Sequence, residues 1–248
     1  MLGKRVFIGI DDTDNLHSRG TGYRVRTLGE LLEKHGYCTV ESVTRHQLLV
    51  SPEIPYTSHN SSACLTVRAT QDDLSELIDF CRRYLLHESA PGSDAGLCVM
   101  PESGITLGIL TWGFLAKQQV LNQQLCRTES ANSCVFLHGL TGDHGGIIGA
   151  LAAVGLRAGG NDGRFIGLRG VREVEPGEYT VAELFEQTAI DRVQSLAGAV
   201  LSPREIVSIG EWLRPVLLDG LAVLLVENTK NEINERWVMA GKPTVKLH

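Results

Sequence analysis

Apolar residues along this chain fall into short runs punctuated by polar, glycine-rich turns, and the spacing within the runs switches between strand and helix periods. Val6-Phe7-Ile8-Gly9-Ile10, with a β-branched residue at each end, reads as a buried strand. Over 23–35, Val25, Leu28, Leu31 and Leu32 recur at helical spacing, and Gly36 is a natural helix stop. Thr39-Val40-Glu41-Ser42-Val43-Thr44 predicts a second strand, although its alternation is imperfect. Strand, helix and strand in that order are expected to open a parallel α/β sheet. A further strand is expected over 63–69. Leu74, Leu77, Ile78, Cys81 and Leu85 then give a helix face, with Asp72 and Asp73 favouring its N-terminus.

The pattern loosens over 51–62, a stretch with Pro52 and Pro55 that reads as a long ordered loop. Loop chemistry is expected again over 87–101, around Pro91-Gly92-Ser93. Positions 105–125 read as helical, and Cys134-Val135-Phe136-Leu137 as a short strand. A small-residue helix is expected over 147–154, and the glycine-rich turn at 159–163 leads to Phe165-Ile166-Gly167-Leu168-Arg169. Beyond about residue 170 the pattern changes. A helix is expected over 181–196, a buried strand over 221–226 and a last strand at Trp237-Val238-Met239. Regions 1–170 and 171–248 are therefore the expected domains; no internal repeat is evident.

Composition narrows the class. Of 248 residues 43% are hydrophobic, enough for a sizeable core, and the formal charge of −6 argues against a broad nucleic-acid footprint. The chain carries no signal-peptide pattern and no apolar run near the ~18 residues of a membrane span, so a cytoplasmic protein is expected. Cys38, Cys64, Cys81, Cys98, Cys126 and Cys134 form no C-x-x-C pair and read mostly as small buried hydrophobes.

The chemistry starts where the first strand ends. Asp11, Asp12 and Asp14 crowd three carboxylates into four residues, and their repulsion persists only if a cation or hydrogen-bond donors offset it. Mg²⁺ suits them, because it binds through one or two carboxylates and keeps substrate phosphates as partners; a capped, solvated loop is the plain alternative. Neither Asp-x-Asp-x-Thr nor an EF-hand loop fits, since Leu16 and His17 stand where the EF-hand needs an oxygen ligand and a glycine. The second feature is Gly139-Leu140-Thr141-Gly142-Asp143-His144-Gly145-Gly146 leading into a helix, a setting that suits phosphate oxygens. It is neither a P-loop nor a G-x-G-x-x-G fingerprint, and a tight turn with close helix packing reads equally well. His59, Asn60 and His144 either meet a ligand or serve their loops, and Arg164 and Arg169 either contact phosphates or brace the fold.

Ile8-Gly9-Ile10-Asp11-Asp12-Thr13-Asp14, Pro52-Glu53-Ile54-Pro55 with Asn60, and the run from Gly146 to Gly155 occur in an order that resembles the N-terminal part of the archaeal tRNA agmatidine synthetase family. Trp112-Gly113-Phe114-Leu115-Ala116-Lys117 also looks like a helix of that family, and the likeness covers roughly residues 5 to 170. The resemblance implies an α/β (α+β) protein. A kinase-like ATP- and Mg²⁺-dependent catalytic region with a mixed sheet would be accompanied by a smaller ferredoxin-like domain, which the region 171–248 would help complete. Asp11, Asp12 and Asp14 would hold Mg²⁺ on the ATP phosphates, with Asp12 and Asp14 catalytic or one of them orienting the nucleophile. Thr13, Asn60, Gly142, His144, Gly145 and Gly146 would lie on the nucleotide.

The family follows its aspartates with Gly, then Cys-Thr-Thr-Tyr, whose phosphorylated threonine has no counterpart in Gly20-Thr21-Gly22-Tyr23. Its Lys-Thr-Arg-Gly-Asn becomes Tyr56-Thr57-Ser58-His59-Asn60, and its OB-fold and zinc ribbon are not expected in this chain. The expectation is a stand-alone relative that phosphorylates or ligates a small molecule, with a homodimer as the candidate assembly. Its rivals are an RNA-modifying enzyme gripping RNA through a partner and a basic groove at Arg45, Arg164 and Arg169, and a nucleotide sensor without turnover.

Overall fold

The computed structural model describes residues 3–54, 59–131, 133, 136–231 and 234–245, and divides into two compact units, Met1–Gly159 and Gly160–His248. The division precedes the change of pattern expected near 170, because the strand Arg164–Gly167 already pairs within the second unit.

The first unit opens with β1 (Lys4–Asp11), α1 (Thr21–Lys34), β2 (Cys38–Gln47), β3 (Ser61–Ala69), α2 (Ser75–Glu88) and β4 (Gly96–Pro101). β1 pairs antiparallel with both β3 and β4, and β2 pairs antiparallel with β3, giving the order β4-β1-β3-β2. This is the ferredoxin-like β-α-β-β-α-β arrangement. It corrects two expectations: the opening sheet is antiparallel between neighbours, and the ferredoxin-like order lies within residues 4–101. β3 slips between β1 and β2, so the first two strands are not partners. A register shift between Val40 and Ser42 accounts for the imperfect alternation of β2.

The remaining elements of this unit are α3 (Leu107–Leu115), α4 (Gln123–Ser130), β5 (Phe136–Gly139) and α5 (Ile147–Gly159). β5 adds to the free edge of β4. α1 ends as its sequence dictates: Gly36, at φ 76°, donates to Glu33 O, and Tyr37 donates to Leu32 O, a Schellman closure. α1 packs on one face of the sheet, where Gly29 lets the helix approach Leu65. α5 packs on the other, over Phe7, Cys64, Cys98 and Met100, and α3 lies on α5. Trp112 on α3 donates its ring N–H to Ile148 O at 3.1 Å.

Two expected segments change. Leu97, Cys98, Val99 and Met100 are all buried in β4, where loop was expected; both faces of the strand are covered, so no alternation marks it. The helix expected over 105–125 is two: α3 stops at Leu115, and Asn122, out of helix, starts α4 by accepting from Leu125 N–H.

The second unit contains β6 (Arg164–Gly167), β7 (Gly177–Thr180), α6 (Val181–Gln187), β8 (Arg192–Ser195), β9 (Ile206–Ile209), β10 (Val216–Leu218), β11 (Leu221–Asn231), β12 (Asn234–Met239) and α7 (Lys242–Val245). Its strands run β6-β10-β11-β12-β9-β7, with β8 parallel to β11. Asp219 and Gly220, at φ 54° and 77°, make the tight β10–β11 hairpin. Here the expected helix over 181–196 is only its first half. Thr180 and Glu183 form a capping box, and the chain leaves the helix at Thr188 to enter β8. Among the described residues, no helix is long and apolar enough to cross a membrane.

Candidate functional site

Three loops meet at one end of the first unit's sheet: the segment after β1, the segment before β4, and the glycine-rich turn before α5. Hydrogen bonds lace them together. Ala90 donates its N–H to Thr13 O at 2.9 Å, and Asn15 donates Nδ2–H to Pro91 O at 3.1 Å. Thr141 then clasps the second loop to the third, donating Oγ1–H to Ser93 O at 2.7 Å and accepting from Ala95 N–H at 2.8 Å.

This stacking gathers Asp11, Asp12, Asp14, Asp94 and Asp143 around a cleft of about 330 Å³. Glu53, His59, Asn60, Gly145, Gly146 and Gly149 also line it, and none of its described lining residues is Lys or Arg. The electrostatics follow from the crowding. Burial, then the neighbouring Asp12 charge, pushes the Asp11 carboxyl up to about 7. Asp12 is pushed up to about 6 by burial and then by the charges of Asp94, Asp14 and Asp143. Asp12 also holds a left-handed backbone at φ 49°, a conformation aspartate tolerates better than most residues. Asp14 accepts from Thr21 Oγ1–H at 2.8 Å at the N-terminus of α1, and Arg45 sits within reach of its charge.

Among the described residues no three His, Cys, Asp or Glu side chains are gathered closely enough to hold a metal unaided. A Mg²⁺ ion with one or two carboxylate ligands and phosphate oxygens matches this donor set. The raised carboxyls fit such an ion, since each ionises at lower cost beside a cation.

The glycine-rich turn has a part other than the one expected from its sequence. Gly145 N–H donates to Asp143 Oδ1 at 2.8 Å, Gly146 N–H to Asp94 O at 2.9 Å, and Asp143 N–H to Asp94 Oδ1 at 2.8 Å. The turn thus spends these amides on itself and on Asp94 rather than presenting them as a phosphate cradle. Its glycines give clearance: a Cβ on Gly146 would lie 2.4 Å from Asp94 O, and one on Gly149 would lie 1.8 Å from Asp11 Oδ2. Of the expected nucleotide contacts, Asn60, Gly145 and Gly146 line the cleft. Asn60 is held in its loop by Nδ2–H donation to Leu49 O at 2.6 Å.

Gly142, His144 and Thr13 are not among the cleft-lining residues. Gly142 packs on Asp94 at φ 56°, and His144 packs on Gly139. Thr13 is fully buried and donates Oγ1–H to Thr21 Oγ1 at 3.0 Å. Arg164 and Arg169 belong to the second unit, where Arg169 donates Nη2–H to Thr188 O at 2.8 Å. The five described cysteines are buried, as expected; Cys134 lies outside the described residues, as do Pro55, Tyr56, Thr57 and Ser58.

Sequence reasoning misses Asp94, Asp143, Glu53 and Thr141 as functional positions. A usable signal exists for Asp94: it precedes the apolar run Leu97-Cys98-Val99-Met100 much as the first carboxylates adjoin β1, a carboxylate at the end of a buried strand. Asp94 also organises the turn. Asp94→Ala is expected to cost no more than about 1 kcal/mol, since it removes the acceptor of the exposed Asp143 N–H and also a charge that repels Asp12, whereas Asp94→Asn keeps an acceptor and is expected to be the more stable of the two. Urea melts of both variants check this; equal losses would remove Asp94 Oδ1 as the organising acceptor.

No family profile matches the chain. It is 29% identical over 162 residues to the tRNA 2-agmatinylcytidine synthetase TiaS of Cenarchaeum symbiosum (strain A), covering 64% of this chain and 35% of that protein. The crystal structure of TiaS in complex with its tRNA and ATP superposes with a TM-score of 0.54 at 26% identity, covering 61% of this chain and 36% of that one. The complex of TiaS with tRNA, AMPCPP and agmatine gives 0.52 at 25% identity, again over 61% and 36%. The chain is thus a distant relative of the TiaS agmatidine synthetases over about 61% of its length, and spans about a third of theirs.

Proposed function

We propose that this protein is an ATP- and Mg²⁺-dependent phosphotransferase, or a ligase working through a phosphorylated intermediate, acting on a small-molecule acceptor. The observation that carries the reading is the convergence of five aspartates on the N-terminal end of α5 in one cleft, two of them with carboxyls raised to about 7 and 6. Such a site is uncomfortable without a cation and becomes favourable with one. The named ligands of the TiaS structures, ATP and AMPCPP, support a nucleotide as the phosphate donor.

Bound magnesium supplies charge neutralisation on the phosphates of the nucleotide. The chain's own residues supply the rest. Asp11 and Asp12 hold the ion from the end of β1, and Asp94 and Asp143 fix the turn that carries the third side of the cleft. In this reading Asp14, whose carboxylate accepts from Thr21 Oγ1–H, has the part of orienting an incoming nucleophile and taking its proton. A small acceptor is favoured over RNA by the acidic cleft, because a nucleic-acid path needs Lys and Arg.

The test is release of ADP from ATP with and without Mg²⁺, in the presence of amines, alcohols and carboxylates, with an unmodified tRNA transcript as a separate arm. Turnover is expected only with Mg²⁺, and Asp12→Asn is expected to lower it at least about 100-fold. Turnover unaffected by that change would remove the aspartates from the chemistry. Response to the transcript alone would make RNA the acceptor, and binding of Mg·ATP without turnover in any arm would favour a sensor.

A further inference from the structure

α3 is apolar on two faces, and only one of them is used by the fold. Ile109, Trp112 and Gly113 are buried on the side that packs against α5. The contact is at backbone distance: a Cβ on Gly113 would lie 2.8 Å from Leu156 N, and one on Gly155 would lie 2.1 Å from Ile109 O. With Trp112 also donating to Ile148 O, the helix is locked in rotation and cannot turn its other face inward. That other face carries Leu107, Leu110, Thr111 and Phe114, whose spacing makes a single helical stripe. Leu107 is 78% exposed and Phe114 57%. Leu125 extends the patch, since it stands one turn before Glu129 on α4 and Glu129 rests against Gly108 of α3. A helix that is apolar all round is ordinarily buried all round, and an exposed apolar patch of this kind marks a contact surface.

We infer that the stripe is covered by a second copy of this chain, α3 against α3, in an antiparallel pair related by a twofold axis. Charge narrows the class of partner. α3 contains no charged residue, whereas a nucleic acid is held by Lys and Arg, and a helix lying on a membrane carries them on its polar face. The order of the stripe then fits a copy of itself. About an axis passing between Leu110 and Thr111, Leu107 of each copy meets Phe114 of the other, and Leu110 meets Thr111. The ends of the helix set the direction: Glu102 precedes α3 and Lys117 follows it. An antiparallel pair puts unlike charges together at both ends and opposes the two helix dipoles, whereas a parallel pair would put like beside like. The stripe with Leu125 offers roughly 400 Å² per copy, about half of what one partner buries in a standard interface, so the dimer is a reversible one.

Analytical ultracentrifugation of the full chain from about 1 to 300 µM tests the pair. The parent is expected to pass from monomer to dimer with a dissociation constant on the order of 50 µM. Leu107→Lys and Phe114→Asp, each at an exposed position, are expected to weaken association at least about 30-fold when measured alone, because each sets two unpaired charges against apolar side chains. Mixed in equal amounts, the two variants are expected to associate again within about tenfold of the parent. In the mixed dimer the introduced lysine meets the introduced aspartate, and the second Leu107–Phe114 contact is intact. Thr111→Arg, at an exposed polar position in the middle of the stripe, is expected to show the same loss and keeps the test decisive should either apolar change lower the circular dichroism melt. A parent that stays monomeric over the whole range overturns the pair. Association that survives the single changes overturns it too, by placing the dimer on another face. A mixture that fails to restore association overturns the antiparallel seat and leaves the stripe to a partner of another kind.

Discussion

Asp11→Asn is expected to give a more stable protein that no longer binds magnesium nucleotide. The native carboxyl is raised to about 7 by burial and by Asp12, so the folded chain holds its proton more tightly than the unfolded chain does. The sign follows from that difference. Below the unfolded value near 4 both states carry the proton; as pH rises from about 4 to 7, ionisation favours the unfolded chain, and the stability of the metal-free protein falls. Asparagine fills nearly the same space against Gly149 without a titrating group. At pH 8 the variant should therefore gain on the order of 2 kcal/mol, about 5 °C in melting temperature, and should lose the slope between pH 4 and 7 to which Asp11 contributes. Mg²⁺ should reverse the ranking by stabilising the parent and not the variant. Thermal melts across pH, with and without Mg·ATP, check both halves. A parent–variant difference that does not widen as pH rises from 4 to 7 would contradict the electrostatics.

Gly9→Ala is expected to be among the most damaging single-methyl changes in the first unit. A Cβ at this position would lie 2.0 Å from the carbonyl oxygen of Ala150 and 2.9 Å from Val154 Cγ2. Backbone cannot rotate away as a side chain can, so β1 and α5 must separate. Overpacking of this kind costs about 3 kcal/mol, equivalent to a drop near 10 °C for a chain of this size. Gly159→Ala is the control: a Cβ there meets nothing within 4 Å, and the melting temperature should hold. Coincident melts for Gly9→Ala and the parent would show that the helix does not ride on the strand at backbone contact.

These two positions also show what the sequence carries. β1 and its carboxylates were legible because an apolar run and three acids stand next to each other in the chain. The helix over 147–154 was legible through its small residues, which the structure explains as clearance for β1 and α3. β4 was not, because a strand covered on both faces shows no period, and its flanking Pro91-Gly92-Ser93 and Pro101 advertise a loop. Asp94 and Asp143 were hidden for a related reason. Each sits in a turn whose acids normally face solvent, and only the pairing of β4 with β1 brings the first of them beside Asp12. The break between Leu115 and Gln123 was hidden by apolar residues that continue the helical pattern through it, and the Asn122 cap that restarts the helix is a single side chain. Of the two readings of the glycine-rich turn, the hydrogen bonds of Asp143, Gly145 and Gly146 favour the tight turn, and composition does not encode them.

The three laced loops are remote in sequence, Asp94 and Asp143 alone being 49 residues apart. Repulsion between the loops, of Asp12 with Asp94 and Asp143, therefore arises only after the sheet has registered and the loops have arrived, past the point at which most native surface is already buried. A cost incurred that late shortens the lifetime of the native molecule more than it delays its formation. A bound cation that cancels the repulsion acts on the same side of the barrier, so its kinetic signature is slower opening of the finished protein rather than faster assembly.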